Sequence, residues 1–110
     1  MVRVNVSLTA ASPRETDRLV EAFRFLMVKT RVVPGCLECG VWIESGTIVH
    51  YAETWATEDD LRQRVCSSTF TSLLSVVEEG TNVSVQFDFV TEQRGLDYVA
   101  EVRARTHDAS

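Results

Sequence analysis

Cysteine is scarce in this chain and odd in number: Cys36, Cys39 and Cys66 are the only three among 110 residues. A secreted disulfide framework needs a denser, even set, so that class is excluded. Cys36-Leu37-Glu38-Cys39 does spell C-x-x-C. A redox or zinc site wants such a pair at a helix start or in a tight knuckle. Here it opens an alternating strand, where the two side chains are expected on opposite faces as small buried thiols. Histidine is scarcer still, with only His50 and His107, and no metal-ligand cluster is expected. Basic residues number 11 against 16 acidic ones, a net charge of −5 and the wrong balance for a phosphate-binding surface. No nucleic-acid partner is expected. No apolar run approaches membrane-spanning length, and no cationic leader with an apolar core opens the chain. No membrane partner and a cytoplasmic location are therefore expected. Phosphate-cradling glycine loops and nucleophile elbows are absent too. The N-x-S triplets at Asn5 and Asn82 say nothing without a secretory signal.

What is there is globular. Hydrophobic residues make up 45% and charged residues 25%, enough to bury a core in one domain over residues 1–110. Val2, Val4, Val6 and Leu8 alternate with Arg3, Asn5 and Ser7, a strand with one buried face. Ser12-Pro13-Arg14-Glu15 then starts a helix, with Ser12 as cap, Pro13 at the first position and Glu15 completing a capping box. Leu19, Val20, Phe23, Leu26 and Met27 mark its apolar stripe, and Pro34-Gly35 closes the segment.

The middle of the chain is the most informative stretch. A second strand puts Leu37, Cys39, Val41 and Ile43 on one face and Glu38, Gly40, Trp42 and Glu44 on the other. Ser45-Gly46 turns it back. The third strand places Val49, Tyr51, Glu53 and Trp55 opposite Ile48, His50, Ala52 and Thr54. Neither face is plainly solvent-like, so cover on both sides is expected: helices on one, a second subunit on the other. Thr57 with Asp60 caps the next helix, whose stripe begins at Leu61 and Val65. Ser67-Ser68-Thr69 predicts a kink or break before Phe70, Leu73, Leu74 and Val77. Val83, Val85, Phe87 and Phe89 form a fourth strand, followed by a short apolar arm from Arg94 and a tail to Ser110. The order βαββαβ is the split βαβ arrangement of ferredoxin-like α+β domains, with an antiparallel sheet.

Candidate site residues follow from strand parity. Tyr51, Glu53 and Trp55 share one face where the third strand enters the second helix, which suits a flat polyphenol or quinol held by stacking. Equally, Trp55 is a large core residue and Glu53 makes a cross-strand pair. His50 is either a proton acceptor or a hydrogen-bonded histidine at a sheet or dimer surface. Asn5 points away from the valine face, towards either a pocket or a sheet contact.

Pro34-Gly35-Cys36, Glu53-Thr54-Trp55, Ser68-Thr69-Phe70 and Arg94-Gly95-Leu96-Asp97-Tyr98, in this order and spacing, resemble the antibiotic biosynthesis monooxygenase (ABM) domain family of dimeric α/β barrels. The resemblance runs from Val2 to about Phe89. It implies a homodimer that oxygenates a small aromatic polyphenol or quinol with no cofactor, the substrate carbanion itself reducing dioxygen. It implies Asn5, Trp55, Arg64, Glu53 and His50 as catalytic candidates, with Tyr51, Phe70 and Phe23 against the substrate. Many members carry a histidine where Arg64 stands; arginine cannot act as a base at neutral pH but can stabilise an oxyanion. Haem-degrading members use an asparagine on the first strand with a tryptophan and a histidine on the second helix. Asn5 matches the first, but Arg64 and Leu74 replace the others, which disfavours haem degradation. A non-catalytic ligand-binding dimer of the same fold is the alternative.

Overall fold

The computed structural model describes residues 1–89, together with Ala104. The expected C-terminal arm and tail lie outside the described residues. Within them the order is β1 (Val2–Thr9), α1 (Pro13–Arg31), β2 (Cys36–Glu44), β3 (Ile48–Trp55), α2 (Glu58–Val65), α3 (Ser68–Val77) and β4 (Thr81–Phe89). The strands form one antiparallel sheet in the order β2-β3-β1-β4. This is the ferredoxin-like α+β arrangement.

Period-two patterning sets the layers. Val2, Val4, Val6 and Leu8 are buried on the inner face. Each such side chain contributes about 1.5–3 kcal/mol relative to exposure. α1 starts at the expected cap, the Glu15 amide donating to Ser12 Oγ at 3.2 Å with Pro13 at the first helical position, but the Glu15 carboxylate pairs with Arg18 instead of closing a capping box. Its inner stripe of Leu19, Val20, Phe23 and Leu26 is buried with the β1 valines in one core. The α2–α3 break falls where the serine run predicts it. Ser67 caps α3 by accepting from the Phe70 amide at 3.3 Å, and its hydroxyl donates to the Arg64 carbonyl at 2.6 Å.

Gly35 explains why Pro-Gly enters β2. Its φ is +92°, and a Cβ there would stand 2.3 Å from Asp60 Cγ, at the start of α2. Only glycine lets the chain pass this close with that backbone.

Three local expectations change. First, β2 carries a bulge: Cys36 pairs with Trp55 and Glu38 with Thr54, leaving Leu37 without a partner on β3. The extra residue puts Cys36 and Cys39 in the same face register, opposite Trp55 and Glu53, and not on opposite faces. Leu37, expected beside Cys39, is exposed. Second, the buried face of α2 is Leu61 and Arg64, while Val65 is largely exposed. Arg64 turns inward because Glu53 waits there. Third, the outer sheet face is polar over most of its area. Across β2-β3-β1-β4 it reads Glu38-Thr54-Arg3-Asp88, then Gly40-Ala52-Asn5-Gln86, then Trp42-His50-Ser7-Ser84. Among the described residues, the apolar row that lacks cover is instead on β4: Val85, Phe87 and Phe89, in register with Val6, Val4 and Val2 of β1, together with Val83 at the irregularity before them.

Candidate functional site

The sequence candidates divide between the two faces of the sheet. Glu53, Tyr51, Trp55, Arg64, Phe23 and Phe70 meet between sheet and helices; Asn5 and His50 lie on the other side. Asn5 therefore cannot join Arg64 in holding one oxyanion within a single chain.

The inner cluster is a sealed hydrogen-bond network. Arg64 binds Glu53 through two parallel bonds, Nε to Oε1 at 3.1 Å and Nη2 to Oε2 at 2.8 Å. Tyr51 donates its hydroxyl to Oε2 at 2.5 Å, and Trp55 its indole N–H to Oε1 at 2.9 Å. Behind Tyr51, the Cys39 thiol donates to the phenol oxygen at 3.2 Å; beyond Glu53, Arg64 Nη1 reaches Thr69 at 2.8 Å. A carboxylate offers about four lone-pair sites, and these four bonds use them all. Glu53 has no exposed surface and Arg64 only 2%. Among the described residues no buried side-chain nitrogen or oxygen lacks a partner. Glu53 thus pairs with a helix residue rather than across the sheet, and has no free lone pair with which to take a substrate proton.

The groups around it are held in their protonated forms. Burial, then the Glu53 charge, pushes the Tyr51 phenol far above its ordinary value. Burial pushes the Cys39 thiol up to about 11, only partly offset by the Tyr51 hydrogen bond. Burial alone would lower the Arg64 pKa, but its bonds to Glu53 outweigh that and the guanidinium stays charged. Tyr51 stacks on Phe23, ring centroids 5.1 Å apart, and the Arg64 guanidinium lies over Phe70. Trp55, Phe70 and Leu73 are all buried in the same core. This space is filled.

The open space is on the outer face. A concavity of about 850 Å³ is lined by Arg3, Asn5, Glu38, Gly40, Trp42, Thr54 and neighbouring groups, and a smaller one of about 120 Å³ adjoins it through Asn5 and Trp42. Its floor is low because Gly40 and Ala52 are small; a Cβ added at Gly40 would meet nothing within 4 Å. Trp42, half exposed, stacks on His50 at 5.3 Å with 13° between the rings. His50 Nε2 lies 2.6 Å from Glu44 Oε2. With the proton on Nε2 and shared with Glu44, Nδ1 is the basic nitrogen. Asn5 donates to Asp88 at 2.8 Å. The Arg31 guanidinium, at the rim, is fixed by two bonds to the Cys39 carbonyl. A carboxylate-held imidazole beside an exposed indole face can take a proton from a flat aromatic stacked there. Sequence reasoning missed Trp42, Glu44, Arg3 and Arg31. For Trp42 the signal was available, since the Ser45-Gly46 turn sets it directly opposite His50 across the hairpin.

Solved structures share this fold. One, an antibiotic biosynthesis monooxygenase, matches with a TM-score of 0.66 at 21% identity, over 80% of this chain and 96% of its own. Candidate antibiotic biosynthesis monooxygenases from Deinococcus radiodurans and Caulobacter crescentus match at TM-scores of 0.73 and 0.68. Their identities are 16% and 17%; they cover 84% and 83% of this chain and 95% and 90% of their own. The chain has the ABM fold. No family model matches the sequence, and no curated protein does. Among the described residues, no three His, Cys, Asp or Glu side chains gather as a metal set would require. No helix among them is long and apolar enough to cross a membrane. Among the described residues of this ABM fold, then, the layer between sheet and helices is packed shut, and the two concavities lie on the outer sheet face.

Proposed function

We propose that the chain is a cofactor-independent monooxygenase of a small aromatic polyphenol or quinol, working at the outer sheet face. The observation that carries this reading is the Trp42–His50–Glu44 assembly, in which Trp42 lines the open concavity and His50 the smaller one adjoining it. Trp42 stacks the substrate and His50 removes its proton, with Glu44 stabilising the imidazolium. Arg3 and Asn5, which line the concavity, supply the donors for the developing oxyanion. The carbanion then passes electrons to dioxygen, the hydroperoxide loses water, and the balance for an anthrone is CH₂ plus O₂ giving C=O plus H₂O. Glu53 and Arg64 serve this site from behind, by fixing β3 against α2.

A homodimer completes the reading. The concavity opens on a sheet face that none of the described residues covers, and a second copy over it would exclude water from the reacting carbanion. Light scattering should give twice the chain mass of 12.3 kDa. Oxygen uptake should rise with anthrones or quinols in the absence of flavin and metal, and fall by about 100-fold or more in His50→Ala. No uptake over a broad panel would end the proposal. A non-catalytic dimeric binder is the second reading, favoured by Arg64, which stands where the resemblance to the ABM family leads one to expect histidine and which is tied to Glu53. Ligand-induced stabilisation with no oxygen consumption would establish it.

A further inference from the structure

α1 has two apolar faces towards its C-terminal end, and among the described residues only one is covered. Leu19, Phe23 and Leu26 go into the core, while Phe25, Val28 and Val32 recur at helical spacing on the outside and are 64%, 65% and 80% exposed. Further along the chain, Val33 and the bulged-out Leu37 are exposed as well. The charge around this face is one-sided. From Ala22 to Leu37 there are three cations, Arg24, Lys29 and Arg31, and no carboxylate, in a chain whose net charge is −5. Glu21 and Glu38 bound the segment. Lys29 lies over the Phe25 ring, its nitrogen 4.4 Å from the centroid, so the cation and the apolar surface form one unit.

We propose that this face docks on an anionic lipid surface. Apolar side chains flanked by Lys and Arg on an exposed helix are the recognition chemistry of a membrane interface, where the apolar groups enter the headgroup boundary and the cations meet lipid phosphates. A convex helix flank suits a planar surface better than it suits a peptide, which needs a groove; both concavities lie on the sheet face. The expectation that no membrane is a partner rested on spanning length, which an interfacial face does not need.

The test is flotation of the full chain with vesicles of phosphatidylcholine alone or with phosphatidylglycerol added, at low and moderate salt. The chain should float with the anionic vesicles only, and less as salt rises. Lys29→Glu should weaken this by about tenfold or more, and a Phe25→Ser/Val28→Asn/Val32→Ser variant should abolish it. These positions are exposed, and an unchanged circular dichroism spectrum confirms folding; Phe25→Leu should retain binding. Equal flotation with neutral and anionic vesicles, or none with either, overturns the proposal. So does flotation that the triple variant leaves unchanged. Concentration-dependent oligomers that the triple variant dissolves, without flotation, would make the face a protein contact instead. Vesicle binding is read without turnover, so its failure leaves the oxygenase reading untouched.

Discussion

Replacing Glu53 by glutamine should be among the most damaging conservative changes in this protein. The substitution keeps the shape and removes one charge. It leaves the Arg64 guanidinium, 2% exposed, without its counter-ion, and turns an amide donor towards a site already occupied by four donors. Breaking a buried pair from one side costs about 3–5 kcal/mol, because the remaining charge keeps its desolvation penalty. A domain of this size has about 5–15 kcal/mol in all, so a single amide would remove roughly a fifth or more of it. Arg64→Met should cost a similar amount. The double variant Glu53→Gln/Arg64→Met holds no buried charge and should be more stable than either single one, by about 1–3 kcal/mol. Urea unfolding at neutral pH measures all three, with Glu58→Gln as the control. Glu58 pairs with Arg62 on the surface, where both side chains are more than half exposed, and its loss should cost less than about 1 kcal/mol. If Glu53→Gln costs no more than Glu58→Gln, the inner layer is open to water and the sealed-network argument fails.

Raised thiol and phenol pKa values predict alkaline sensitivity. Below pH 9 both the folded and unfolded chains keep the Cys39 proton; above it the unfolded chain loses its proton first, so stability falls from pH 9 towards about 11. Two pH units at one group correspond to about 2–3 kcal/mol, which Cys39→Ala should largely remove from the pH profile of urea unfolding. Tyr51, raised further by burial and Glu53, should extend the fall above about pH 10, and Tyr51→Phe should flatten that part. Gly35→Ala should cost about 1–3 kcal/mol or more in the same assay, through its positive φ and the close Asp60 carboxylate. Ser67→Ala removes the α3 cap and should cost about 1 kcal/mol.

Period and capping made the fold legible. Ser12, Pro13, Thr57 and the serine run each marked a boundary through local chemistry that tertiary structure did not override. Strand parity likewise separated Tyr51, Glu53 and Trp55 from His50. Parity stops at a bulge: one extra residue at Leu37 reversed the expected relation of Cys36 to Cys39, and nothing local announces it. Periodicity also ranks Val65 above Arg64 for burial, because it cannot know that a carboxylate on β3 lies opposite. Whether an aromatic–carboxylate cluster is a pocket or a packed core depends on volumes supplied by distant elements. Here Phe23, Phe70 and Leu73 fill the space, and the candidate site moves to the face the sequence had marked only by Asn5 and His50.

The two tryptophans allow a direct test of that relocation, because Trp42 lies on the outer face and Trp55 is buried in the inner layer. In a ¹H–¹⁵N spectrum each contributes one indole N–H signal, assigned with Trp42→Phe. Titration with a water-soluble quinol under argon, so that no turnover occurs, should shift the Trp42 signal and leave Trp55, bonded to Glu53, in place. Movement of the Trp55 signal with Trp42 unchanged would contradict the account and return the substrate to the layer between sheet and helices.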